Sequence, residues 1–331
     1  MKRGANIKKV LVIRFSSIGD IVLTTPVVRC LKNQLPEAEI HYLTKTRYAP
    51  LLSSNPYIDR IHCYGEDYGI LLKTLKAEHF DFIADLHRSL RSRYILLNLR
   101  RPHATFSKLN LRKWMLVRMK IDRLPHIHVV DRYFGAVSPL GIRNDGKGLD
   151  YFIPPPEEIR PGDVFPAAAG GFIAMAIGAR HQTKILPVEK AAEVCRKADK
   201  PMILLGGAED RERGDRIAGQ AGDRVFNACG KLSVNQSASV IRQADALITN
   251  DTGMMHIGAA FRKRIISVWG NTVPAFGMYP YLPEGSGHLS RIVEVKGLDC
   301  RPCSKLGYDR CPKGHFNCMN LIRTSDILEA L

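Results

Sequence analysis

The stretch Ala246-Leu247-Ile248-Thr249-Asn250-Asp251-Thr252-Gly253-Met254-Met255-His256-Ile257-Gly258-Ala259-Ala260 decides how this chain folds. Ala246 to Thr249 is a compact apolar run of strand length, and Ile257 to Ala260 opens a helix built of small residues. A short buried strand that passes through one tight turn into a helix is the repeating unit of parallel sheets. The turn sits where the first N–H groups of the helix lack internal partners and where the helix dipole favours negative charge. Thr252 adds a hydroxyl there, Gly253 admits close approach, and Asp251 and His256 add polar side chains. The same residues also suit simple capping, in which Asp or Thr accepts the free N–H groups without any ligand. The turn alone leaves both readings open.

Outward from this unit the same rhythm recurs. In the first half, Lys9 to Arg14 is an apolar run followed by a helix-like stretch from Asp20 to Leu35. Ile40 to Leu43, Ile58 to Tyr64 and Phe82 to Leu86 read as further strands, with helices over about 68–79 and after Arg88. Tyr151-Phe152-Ile153-Pro154-Pro155-Pro156 interrupts the pattern, because three prolines in a row cannot continue a helix or a central strand. The alternation restarts with Phe172 to Ile177, a helix over about 187–199, and Met202 to Leu205. Strand candidates at Arg224 to Phe226, Ala246 to Thr249 and Ile265 to Trp269 complete it. The expected fold is α/β, with two Rossmann-like domains and a cleft between them: residues 1–155, a linker over 156–170, and residues 171–331.

With 331 residues the chain has room for two cores. No segment reaches the roughly 18 consecutive apolar residues of a membrane span, and the basic start Met1-Lys2-Arg3 is not followed by a signal-peptide core. A cytosolic location is expected. Forty-nine Lys and Arg against 32 Asp and Glu leave a formal net charge of +17, which calls for an anionic partner. The excess is concentrated between Arg88 and Arg123, where Arg91, Arg93, Lys108, Arg112 and Lys113 alternate with Trp114, Met115 and Leu116. Such a mixture suits an anionic lipid surface or headgroup, although an ordinary basic surface helix has the same composition. Nucleic acid is the less favoured partner, since the segment carries no aromatic stacking platform and no zinc-finger or RRM signature.

Three further turns carry chemistry. Arg14-Phe15-Ser16-Ser17-Ile18-Gly19-Asp20 puts a carboxylate in the first turn of a helix, where Asp20 could take a proton from a hydroxyl or merely complement the helix dipole. The absence of G-x-G-x-x-G weighs against a dinucleotide oxidoreductase. Gly178-Ala179-Arg180-His181-Gln182-Thr183-Lys184 brings basic groups suited to a pyrophosphate, unless they are plain surface charges. Gly206-Gly207-Ala208-Glu209 joins a close-approach turn to an acid able to accept from ribose hydroxyls.

These elements, in this order and over nearly the whole chain, resemble glycosyltransferase family 9, the lipopolysaccharide heptosyltransferases. Asp251-Thr252-Gly253-Met254-Met255-His256 is the most specific part of the likeness, and the residues before Pro187 are Ile185-Leu186, where the family often carries Trp. The resemblance implies a GT-B fold and inverting, metal-independent transfer from ADP-heptose to a lipopolysaccharide-core acceptor at the cytoplasmic face of the inner membrane. It places the catalytic base at Asp20, with donor contacts at Lys184, Glu209, Asp251, Thr252, Gly253 and His256. The first domain would bind the acceptor, through Ser16, Ser17, Gly19, Arg88, Arg91, Lys108, Arg112 and Lys113, and the second would bind the donor. A GT-B enzyme with a different nucleotide-sugar donor is the alternative. No cofactor and no catalytic metal are expected. Cys300-x-x-Cys303, Cys311 and Cys318, with His315 between the last two, form a zinc-like pattern with irregular gaps, and reduced cysteines in a folded loop are the default reading.

Overall fold

A computed structural model describes residues 7–65 and 67–331; the basic stretch 1–6 lies outside the described residues. The chain forms two compact units, residues 1–108 with 127–152, and residues 109–126 with 153–331. The first unit holds a five-stranded sheet of β1 (Lys9–Ile13), β2 (Glu39–Lys45), β3 (Arg60–Tyr64), β4 (Phe82–Asp85) and β5 (His103–Thr105), in the order β3-β2-β1-β4-β5. Every pairing in it is parallel. The second unit holds β6 (Ile173–Ala176), β7 (Met202–Leu205), β8 (Val225–Asn227), β9 (Ala246–Asn250), β10 (Arg264–Trp269) and β11 (Ser290–Glu294), ordered β11-β10-β9-β6-β7-β8. This sheet is parallel throughout as well.

The central strands are apolar on both faces because helices cover both sides. Val10, Leu11, Val12 and Ile13 are fully buried, and β9 is buried at each position. β5 and β11 have no counterpart in the sequence reading. They are edge strands, with partly exposed patterns in His103-Ala104-Thr105 and Ser290-Arg291-Ile292, and show little of the apolar signal of a central strand.

The helix expected over Asp20 to Leu35 is two helices, Ile18–Val22 and Thr25–Gln34. The Thr24 hydroxyl donates to the Ile21 carbonyl at 2.7 Å, and Pro26, which has no N–H, sits in the first turn of the second helix. The second helix is tied to the chain after the domain's last helix by Arg29. This side chain, 4 % exposed, donates to both carboxylate oxygens of Asp145 at 2.8 and 2.9 Å, to the Gly148 carbonyl at 2.9 Å, and pairs with Asp150.

Two segments are distributed differently from a simple division at the proline run. The basic helix Asn110–Met119 is counted with the second unit, because Leu116 and Leu124 pack on Phe276 and Lys120 donates to the Pro302 carbonyl at 2.8 Å. The proline-rich stretch after Tyr151 is a strap rather than a free linker. It folds into the short helices Pro155–Glu157, Pro161–Val164 and Pro166–Gly170, with Ser239 and Ile159 exchanging two hydrogen bonds of 3.1 Å. Phe165 stacks on Phe226 with ring centroids 5.4 Å apart.

Arg29→Ala leaves two carboxylates facing each other without their cation. An expected loss of about 2–4 kcal/mol of stability, reduced from the fully buried case by the partial exposure of both acids, is measurable as a lowered urea midpoint.

Candidate active site

In each sheet the chain order reverses at one place, and crevices for ligands open there beyond the strands' carboxyl ends. In the second sheet the reversal lies between β6 and β9. Lys184 leaves the first of these strands and Asp251 the second, and the two meet: Lys184 Nζ is 2.6 Å from Asp251 Oδ2. Thr272, following β10, donates its hydroxyl to the same oxygen at 2.8 Å. Asn250 locks the crevice from below, with its amide donating to the Ile177 carbonyl at 3.1 Å and accepting from the Leu186 N–H at 3.2 Å.

The capping question raised by the sequence is settled by this geometry. Thr252 is the N-cap residue of helix Gly253–Ala260, yet its side chain makes no capping hydrogen bond. Its hydroxyl faces Thr249 Oγ1 at 3.4 Å, and Asp251 is turned toward Lys184 and Thr272. Among the described residues the N-cap side chain thus leaves the first N–H groups of this helix uncapped, and the Lys184 ammonium is held at Asp251, one residue before the cap. His256, in the first turns of the same helix, is 2 % exposed.

After β7, Glu209 is exposed at the turn while its neighbour Asp210 is buried. Asp210 accepts from the Gly207 N–H at 3.1 Å and pairs with Arg213; burial raises its carboxyl above the ordinary range. Its carboxylate fills the space over Gly178, where an added Cβ would stand 2.0 Å from Asp210 Oδ2. Gly178 is thus required by close approach, and Asp210 shapes the turn that presents Glu209.

The first sheet reverses between β1 and β4. Asp20 follows β1 in helix Ile18–Val22 and takes the Ser17 N–H at 3.2 Å and the Ser17 hydroxyl at 2.9 Å. Arg14 Nη2 lies 2.6 Å from Asp20 Oδ1, and the Arg14 guanidinium also donates to the Ser16 carbonyl at 2.8 Å. Burial pushes the Asp20 carboxyl up, but Arg14 and Ser17 outweigh it and hold the group below the usual carboxylate range. Asp20 is therefore ionised at neutral pH, with 23 % of its side chain exposed.

Around it stand Lys108, whose pKa is lowered by burial and by Arg14, and His87, pushed down to about 4 by burial, Arg14 and Lys108. His87 packs edge-on to Phe15 at 4.8 Å, and its Nδ1 is buried without a hydrogen-bond partner. Arg88 follows, its N–H donating to Asp85 Oδ1 at 2.8 Å and its guanidinium to the Phe106 carbonyl at 3.1 Å.

The structure thus gathers Ser16, Ser17, Gly19, Asp20, Arg88 and Lys108 at one sheet end, and Lys184, Asp251, Thr252 and Gly253 at the other sheet's equivalent end. Arg91 sits instead beside the Tyr64 ring at 6.0 Å, and Arg112 and Lys113 lie on helix Asn110–Met119 of the second unit. Arg14 is quoted in the turn ahead of Asp20 but is given no role by the sequence, and His87 and Thr272 are not singled out by it. The usable signal was the same one that marked Asp251: a polar turn at the carboxyl end of an apolar strand, here after β1, β4 and β10.

The family model described as glycosyltransferase family 9 (heptosyltransferase) matches residues 69–304. The chain belongs to glycosyltransferase family 9. The enzyme is 25 % identical to lipopolysaccharide heptosyltransferase 2 of Salmonella typhimurium over 81 % of this chain and 84 % of that one. Its fold matches a glycosyltransferase family 9 structure from Veillonella parvula, with a TM-score of 0.76, 22 % identity, and 98 % and 96 % of the two chains covered. It also matches ADP-heptose lipopolysaccharide heptosyltransferase II of Escherichia coli, with a TM-score of 0.72, 21 % identity and 97 % of each chain covered. This glycosyltransferase accordingly has the GT-B fold, with two Rossmann-like domains.

Replacing Arg14 by Gln removes the cation that opposes burial, so the Asp20 carboxyl rises and charge on Asp20 is lost at a higher pH as the solution is acidified. A carbon-13 titration of that carboxyl should show its midpoint displaced upward, and an unchanged midpoint would mean that Arg14 does not govern it.

Proposed function

We propose that this glycosyltransferase transfers heptose from ADP-heptose to the lipopolysaccharide inner core, with either Kdo-lipid A or a heptosyl residue as acceptor, and inverts the anomeric centre. The observation that carries the donor half is the Lys184–Asp251 pair beside the uncapped start of helix Gly253–Ala260. A nucleoside diphosphate leaving group gathers negative charge as its bond to the sugar breaks, and fixed donors placed there lower the barrier without a metal. Asp251 spends one of the ammonium's three N–H groups and orients the others. Thr252 and Gly253 bring hydroxyl and backbone donors, and exposed Glu209 accepts from the ribose.

On the acceptor side, Asp20 takes the proton from the attacking hydroxyl as that oxygen bonds to the anomeric carbon. Its low pKa makes it a weak base before reaction, suited to a transfer in which the hydroxyl becomes strongly acidic only as it attacks. Ser17 and Arg14 hold its two oxygens, while Lys108 and Arg88 attract the anionic sugars and phosphates of the acceptor.

Among the described residues no helix is long and apolar enough to cross a membrane. We further propose a peripheral contact with an anionic membrane surface through helix Asn110–Met119, where Leu111 is 70 % exposed and Trp114 49 % exposed beside Arg112 and Arg118.

A donor screen tests the central reading: ADP-heptose and, separately, UDP- and GDP-sugars are incubated with deacylated core acceptors, and nucleotide release is followed. ADP release confined to ADP-heptose is expected; none with any core acceptor would sink the proposal. Asp20→Asn should lower kcat about 10²-fold or more with donor affinity unchanged, whereas Lys184→Ala should weaken donor binding and turnover together. Leu111→Ser with Trp114→Ser should reduce sedimentation with anionic vesicles and leave turnover on a water-soluble acceptor unchanged; equal sedimentation of both proteins would remove the membrane role of this helix.

A further inference from the structure

Between the end of β11 at Glu294 and helix Asn317–Asn320 the chain runs without a helix or strand. Unstructured loops of more than about 15 residues inside a compact domain call for a physical reason to stay folded. Part of the reason is Arg301. Its guanidinium donates to the Gly270 carbonyl at 2.6 Å and the Thr272 carbonyl at 2.8 Å, and it pairs with Glu294 at 2.6 Å. Cys300 and Cys303 flank this arginine, and Cys311 from the loop and Cys318 from the helix that follows line one cavity with them.

A cavity of about 10 Å³ lies here, and its lining includes Cys300, Cys303, Cys311, Cys318, His315 and Asn271. All four cysteines are free thiols. Burial pushes the Cys303 thiol up and takes Cys318 to about 11, and in each case neighbouring cysteines of the set add to the rise. The Asn271 side chain, 1 % exposed, has neither amide atom hydrogen-bonded. A buried amide without partners requires an explanation, and an unseen ion with its ligands is one.

We propose that Cys300, Cys303, Cys311 and Cys318 bind one thiophilic divalent metal ion, zinc or iron, as a structural tetrahedral centre. Four sulfurs in a C-x-x-C pair and two later cysteines suit these metals and exclude magnesium or calcium, which take oxygen ligands. His315 is an outer partner. Its Nδ1 accepts from the Asn317 N–H at 3.0 Å, which leaves the proton on Nε2, and Nε2 lies 3.9 Å from Cys300 Sγ as a donor toward that sulfur. The unpartnered Asn271 amide lines the same cavity and would supply a second such donor once the ion is bound. Binding deprotonates each thiol as its metal–sulfur bond forms, so the four protons go to solvent, and Arg301, Lys120 and Lys313 offset the excess negative charge.

Among the described residues, His41, His62 and Glu78 are the group whose ligand atoms already lie within 4.8 Å of one another. Those atoms are occupied: His41 Nδ1 meets His62 Nε2 at 2.9 Å, and Glu78 pairs with Lys9 and Arg60. The four cysteine sulfurs are not gathered that closely, so binding would draw them together around the ion.

Protein purified without chelator is measured by elemental analysis. About one zinc or iron atom per chain is expected, with iron recognisable by the colour of a thiolate complex. Cys303→Ser combined with Cys318→Ser should lose that atom, while Cys63→Ser, at an exposed position elsewhere, should keep it. Because the double variant could misfold, wild-type protein stripped by a strong chelator under reducing conditions is retitrated with zinc alone and with ferrous iron alone. Recovery of one equivalent, protection of four thiols from alkylation and a rise in melting temperature of about 5 °C or more support the centre. Failure of the purified and the stripped protein to hold either metal, or retention of a full equivalent by the folded double variant, overturns it.

Discussion

Parallel strand pairing is the constraint on which the remaining structure rests. In both sheets every strand runs the same way, so all the carboxyl ends, and all the turns that follow them, collect at one edge. Where the order of connection reverses, two neighbouring turns diverge and leave a crevice. Lys184 and Asp251 are far apart in sequence and 2.6 Å apart in space because β6 and β9 are neighbours on either side of such a reversal. The first sheet repeats the arrangement, with the Asp20 turn after β1 beside the Asp85 to Arg88 turn after β4.

Both sites use ion pairs to fix side chains rather than to add bulk stability. Arg14 is anchored on backbone carbonyls, so the Asp20 carboxylate has a single orientation and stays charged. Asp251 does the same for Lys184, with Thr272 as its second support. Thr272 is in turn held through its carbonyl by Arg301, and Arg301 lies between Cys300 and Cys303. The cysteine loop, remote in sequence from the donor turn, therefore touches it through one arginine and one threonine.

Much of the fold was legible in residue order. Central strands such as Val10 to Ile13 and Ala246 to Thr249 announce themselves because both faces are covered and the run is wholly apolar. Edge strands β5 and β11 were not legible, since half of each faces solvent and their residues look like loop. The break between the helices at Thr24 depended on a side-chain bond to the Ile21 carbonyl that composition does not reveal. The basic segment was visible as charge, but its division between Arg88 and Lys108 in one unit and Arg112 and Lys113 in the other depended on Leu116 and Leu124 finding Phe276.

By itself the sequence determined the α/β class, the family, and the turns that carry chemistry, because strand–turn–helix units are local and their polar turns follow apolar runs within a few residues. Only the tertiary structure decided what those turns do with their side chains. Whether Asp251 capped a helix or faced a lysine could not be read locally, since the partner arrives from a strand paired at long range. The same holds for Asp20, whose charge state is set by Arg14 and by burial, and for the four cysteines, which line one cavity only once the chain has folded.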